Sequence, residues 1–222
     1  MKANVVRNAQ GKDKLSKKNM LRNLILMFIT GTIFFSCKNY RSLSLNEMRA
    51  YIEDEKNGLI QEAERNEIKF SIKYKPVDAA VAQELYNTQI SQQELDHVKE
   101  RYSNLEYFTL NISSDKKKLG DMIKFDEKKG RQDSIASYVH FYMQKDFRII
   151  NGKDTSACVL YHLEQNGNIS PFISISLAFE KTKSNESEIK LIYHDKIFNT
   201  GNLIFTFLKE DIQNTPALKL KS

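Results

Sequence analysis

The stretch from Tyr138 to Leu208 is crowded with strand-length apolar runs: YVHFYM, FRII, CVLYHL, FISISLAF, IKLIY and NLIFTFL. Each is rich in the Ile, Val, Phe and Tyr that suit a pleated, half-buried surface. Asn151-Gly152, Asn166-Gly167-Asn168, Lys183-Ser184-Asn185 and Asn199-Thr200-Gly201 separate most of them. Asn, Ser and Gly make turns there by local hydrogen bonds or by tolerating positive φ. Connections so short leave no room for crossover helices. The expectation from about Ile135 onward is therefore an antiparallel meander to the end, not βαβ units.

Helical signals precede that region. Ser44 with Glu47 forms a capping box, in which each side chain serves an orphan amide of the first turn. Helix is expected to about Lys56, with Leu45, Met48 and Ile52 on one face and Asn57-Gly58 as the stop. A hairpin follows, turning at Arg65-Asn66. In its second strand Ile68, Phe70, Ile72 and Tyr74 alternate with Lys69, Ser71, Lys73 and Lys75, and Pro76 ends the ladder. Asp78–Tyr86 reads as helix, and a second capping box, Ser91 with Glu94, opens another to about Tyr102. Glu106 to Ile112 reads as strand. The charged segment from Ser113 to Gln132 reads as a solvated loop or short helix. The fold class expected is α+β: N-terminal helices and a hairpin, then a mostly antiparallel sheet, in a single domain over 44–222. One domain suits a chain of 222 residues.

The first 36 residues read differently. Leu24–Phe35 is an apolar run of twelve, about 18 Å of helix at roughly 1.5 Å per residue, against a hydrocarbon core of ~30 Å. It has the length of a secretory h-region behind a basic n-region. Met20 offers a compact alternative start, MLRNLILMFITGTIFFSC. The run ends at Ser36 and Cys37.

These residues resemble a bacterial lipoprotein signal, in which an apolar run ends in a small residue just before a cysteine. Ser36 and Cys37 match those two positions, while Phe34 and Phe35 stand where the family has Leu and then a small residue. The resemblance covers residues 1–37 and is of the looser kind found in Bacteroidota. It implies cleavage between Ser36 and Cys37 and a diacylglyceryl group on the Cys37 thiol. Two-chain lipidation anchors stably where one myristoyl chain does not. Residues 37–43 are then a short lipidated tether. Lys38, where proteobacterial lipoproteins retained in the inner membrane carry Asp, implies the outer membrane. The lack of acids in Lys38-Asn39-Tyr40-Arg41 favours its periplasmic face over the cell surface. An ordinary secretory signal and an uncleaved anchor are the alternatives.

Charge agrees with a local role for that segment. Lys2, Arg7, Lys12, Lys14, Lys17, Lys18 and Arg22, with the one acid Asp13, account for the whole net charge of +6. The 27 bases and 27 acids from Cys37 onward cancel, so no basic field remains for a nucleic acid. With Cys37 lipidated, Cys158 is a lone thiol in apolar surroundings, a small hydrophobe rather than a nucleophile.

No phosphate loop, GxSxG, HExxH or CxxC is present. His97 reads as a surface residue. His140, His162 and His194 fall on expected strands, with Glu164 and Asp195 near; gathered on one face they would resemble a metal site, but their spacing matches no ligand motif. Cys158 and His162 would share a strand face about 13 Å apart, too far for a dyad. The expectation is a protein with no catalytic residue, cofactor or metal of its own. It is a lipid-anchored accessory subunit of an envelope assembly, meeting the membrane through its lipid and a protein partner through its surface. A toxin-binding, immunity-type protein and a periplasmic enzyme are the alternatives.

Overall fold

The computed structural model describes residues 42–84, 91–116, 118–119, 135–164 and 172–219, all within the unit Arg41–Ser222. The elements run β1 (Ser42–Leu43), α1 (Leu45–Glu53), β2 (Ile60–Arg65), β3 (Ile68–Lys75), α2 (Val77–Glu84), α3 (Gln92–Tyr102) and β4 (Leu105–Ser113). Then come α4 (Ile135–Phe141), β5 (Phe147–Asn151), β6 (Asp154–Leu163), β7 (Ile173–Glu180), β8 (Glu188–His194), β9 (Asn202–Leu208), α5 (Lys209–Gln213) and β10 (Ala217–Leu218). Two single turns of 3-10 helix, Glu55–Asn57 and Met143–Asp146, follow α1 and α4.

Eight strands form one antiparallel sheet in the order β2-β3-β4-β7-β6-β5-β8-β9. The fold is therefore α+β and mostly antiparallel, with helices distributed along the chain rather than gathered before the strands. It is not a simple meander, because β8 returns past β6 to pair with β5. Strand β6 joins two half-sheets. Its first half pairs with β5 (Arg148↔Ala157) and its second half with β7 (Tyr161↔Leu177), with a register break between Cys158 and Leu160. A bulge of this kind bends and twists a strand locally, and here the sheet folds over on itself at that point.

The fold-over is filled by aromatic rings. Tyr74 and Phe108 of one half meet Phe207 of the other at 6.2 and 5.4 Å between centroids, and Phe70 meets Tyr193 at 6.0 Å. Phe147 stacks on Tyr193 at 4.7 Å. Burying each such side chain contributes about 1.5–3 kcal/mol, which explains why every second residue of β3 and β4 is large.

The ends of the sheet nearly meet. β2 and β9 approach within 8 Å, Cα to Cα, without a ladder. Side chains span that seam instead: one Arg65 nitrogen donates to the carbonyls of Thr200 and Asn202, each at 3.1 Å, and Asn66 Nδ2 donates to Asn199 at 2.8 Å. Linking an open edge this way limits edge-to-edge pairing with other chains.

Both capping boxes are present, at Ser44/Glu47 and Ser91/Glu94. Gly58 ends the turn after α1 at φ 70°. The hairpin turn is Asn66-Glu67, both at positive φ, as a tight two-residue hairpin requires. One expectation is corrected. YVHFYM is not a strand: Ala136, Val139 and Met143 are buried at helical spacing, so the segment folds as α4 and a 3-10 turn. Ser42 and Leu43 pair in parallel with Ala217 and Leu218, and Leu43 is buried.

Candidate functional site

Ser36 and Cys37, the sequence-predicted cleavage and lipidation residues, lie outside the described residues. The described residues of the body begin at Ser42, five residues after Cys37. There Lys219 N–H donates to Leu43 O at 2.7 Å, and the Asp78 carboxylate accepts Leu218 N–H at 2.6 Å. Asp78 also pairs with Lys99 of α3 at 2.8 Å. The first and last strands of the body are thus fastened to each other and to α2.

The remaining sequence candidates do not converge. His97 is exposed on α3. His140 lies on helix α4, not on a strand. His162 lies opposite Ser176 on the outer face, and His194 Nδ1 sits 2.6 Å from Asn202 Oδ1. Glu164 accepts from Ser174 and Ser176, both at 2.9 Å, rather than approaching His162. Among the described residues no three His, Cys, Asp or Glu side chains gather as a metal site. Cys158 and His162 do not share a face. The bulge turns Cys158 inward, where its thiol donates to Leu160 O, and leaves His162 outside. Burial pushes the Cys158 pKa up to about 11.

Three carboxylates organise the interior, and of these only Asp195 stands out in the sequence, as a neighbour of His194. Glu106 is buried in phase with Phe108, Leu110 and Ile112, and Tyr74 donates to it at 2.5 Å. Burial raises its pKa, against the opposing pull of Tyr74, Lys181 and Lys209. The strict alternation that placed Phe108 inside already placed Glu106 there.

At the opposite end of the sheet, Asp146 is 2% exposed and accepts from Tyr138 and, at 2.6 Å, from Lys196. Burial first, and then Asp146, push Tyr138 up to about 12. Beside it the Asp195 carboxylate accepts from the amides of Ile197, Phe198 and Thr200, the Thr200 hydroxyl and the Tyr193 hydroxyl. Burial acts to raise Asp195, and those hydrogen bonds outweigh it, so its pKa lies below the ordinary value. Each carboxylate is occupied in fixing a loop or helix, which is a structural use.

The surface near α4 is of another kind. Phe141 and Tyr142 are 68% and 56% exposed, and Val159 and Leu160, at the bulge of β6, are 47% and 45% exposed. Gln144 Nε2 donates to Cys158 O at 2.9 Å, and Tyr161 Oη donates to Val139 O at 2.7 Å. These two bonds hold the end of α4 directly against the bulged stretch of β6. Comparisons with protein-family profiles, curated proteins and solved structures found no match.

Proposed function

We propose that the chain is a lipoprotein, cleaved between Ser36 and Cys37 and anchored through the Cys37 thiol to the periplasmic face of the outer membrane. Its body works there as a non-catalytic accessory subunit of an envelope assembly. The observation that carries this reading is the closeness of ordered structure to Cys37. Only residues 38–41 separate that cysteine from a strand that pairs with β10, which Asp78 in turn fastens to α2. Five Cα steps of 3.8 Å reach at most about 19 Å, so a lipid on Cys37 holds the body against its bilayer rather than on a long leash. The non-catalytic part is supported by Glu106, Asp146, Glu164 and Asp195, each engaged by structural partners.

The test is metabolic labelling and fractionation. Wild-type protein is expected to incorporate labelled palmitate and to pellet with envelopes, while Cys37→Ser loses the label and appears in the soluble fraction. A wild type without label, or a serine variant whose cleaved product still pellets with envelopes, overturns the reading.

A further inference from the structure

From Phe141 to Arg148 the chain alternates between two jobs. Met143, Asp146 and Phe147 are buried and hold the segment to the core. Phe141, Tyr142, Lys145 and Arg148 are exposed. Val159 and Leu160 adjoin them, because Gln144 is bonded to Cys158 and Arg148 lies opposite Ala157 in the β5–β6 ladder. Lys196 completes the border: its ammonium lies 6.0 Å from the Tyr138 ring, which stacks on Tyr142 at 6.5 Å between centroids. Asp146, within this segment, is buried and already paired with Lys196.

Aromatic and aliphatic side chains at the centre with cations at the rim match the composition of a protein-docking surface, where Tyr, Phe and Arg are enriched and the border is polar. We propose that this face docks a protein partner presenting an apolar socket bordered by carboxylates. The charge selects that occupant over a second copy of this chain, since a two-fold contact would set Lys145 and Arg148 against themselves. Position selects it over the bilayer. The strand that follows the tether pairs with β10, which is bonded to Asp78 just past the end of β3, where β2 starts, whereas Asp146, Lys196 and the start of β5 lie at the end of the sheet where β2 finishes. The surface therefore lies at the sheet end away from the tether; this last step rests on the lipid-anchor reading above.

The experiment is site-specific photocrosslinking of the full chain in its own envelope. The photoreactive residue p-benzoylphenylalanine replaces Tyr142, Leu160 or, as a control on α3, Gln93. The expected result is one adduct with a different protein, shared by positions 142 and 160, absent at 93, and reduced about tenfold by Lys145→Glu with Arg148→Glu or by high salt, as rim charges that steer association require. Both reversals are on exposed side chains, and an unchanged melting temperature verifies the fold. Adducts only with lipid, only with this chain itself, or with a protein indifferent to the charge reversal overturn the proposal, as does no adduct at all. Failure here leaves palmitate labelling of Cys37 unaffected, so the two readings fail separately.

Discussion

The Tyr74 hydroxyl donates to the Glu106 carboxylate across 2.5 Å where both side chains are buried between the half-sheets. Burial raises the Glu106 pKa, so ionising this group costs more in the folded chain than in the unfolded one. The sign follows by linkage. Below the unfolded carboxyl value near 4.3 both states are protonated and the native state bears no penalty; stability is lost as pH rises through the raised folded value. Glu106→Gln keeps an acceptor for Tyr74 and removes the charge. It is expected to melt above wild type at pH 7 and to converge with it below pH 4, by calorimetry across that range. A melting-temperature difference independent of pH would contradict the assignment.

Tyr74→Phe removes the donor while leaving the ring against Phe108 and Phe207. A buried carboxylate left without its partner costs about 1–3 kcal/mol. Urea unfolding should show a loss of that size at pH 7, and a smaller one when Glu106→Gln is already present, because the bond then lost is to a neutral acceptor. The pair couples because one hydrogen bond is shared.

Asp195 titrates in the opposite sense. Its hydrogen bonds from the Ile197–Thr200 backbone outweigh its burial and hold its pKa below the ordinary value, so its contribution is fully present above pH 4 and fades as the solution is acidified through the lowered folded value. Partial exposure to water weakens each of these bonds. Asp195→Ala is expected to cost about 1–2 kcal/mol at pH 7 and progressively less in acid. Hydrogen exchange at the Ile197, Phe198 and Thr200 amides should accelerate in the variant; unchanged protection there would refute the capping role.

Gly58 sits at φ 70°, where a Cβ would come 2.1 Å from Asp211 Oδ2. Two penalties are separable in Gly58→Ala: the left-handed backbone, about 1 kcal/mol for a residue with a Cβ, and the collision. Asp211 ends in a rotatable carboxylate and can move aside. Gly58→Ala with Asp211→Ala should therefore recover the collision part and leave the backbone part. A double variant as unstable as the single one would place the whole cost in φ.

Local rules carried most of the strand and helix assignments. Ser44/Glu47 and Ser91/Glu94 cap helices because capping chemistry needs only residues three apart. Ile68 to Lys75 forms a strand because alternation is also local. YVHFYM failed for the same reason. Tyr138, Val139, His140 and Phe141 look β-like side by side, while the spacing that decides, Ala136, Val139 and Met143, appears only over two turns. The β8–β5 pairing, the Arg65 bridge to Thr200 and the β1–β10 clamp join residues far apart in sequence, and no short window encodes them. The cluster of Tyr138, Asp146 and Lys196 was illegible on the same ground, since Lys196 arrives from a loop fifty residues on.

The Cys158 thiol gives a count that tests the proposed anchor. Burial raises its thiol to about 11, so at pH 8 only about a thousandth is thiolate, and the bulge keeps the sulfur turned inward. Ellman's reagent should scarcely react with the native protein. In denaturant the fold no longer protects it, and the count then depends on Cys37. A lipid on that sulfur leaves one reactive thiol per chain, whereas an unmodified, retained Cys37 gives two. One thiol in the mature wild type and two in a precursor held uncleaved and unlipidated is the expected pair of values. Two thiols in the mature protein would show that the Cys37 sulfur carries no lipid. A fast native reaction would show instead that Cys158 is not buried by the bulge.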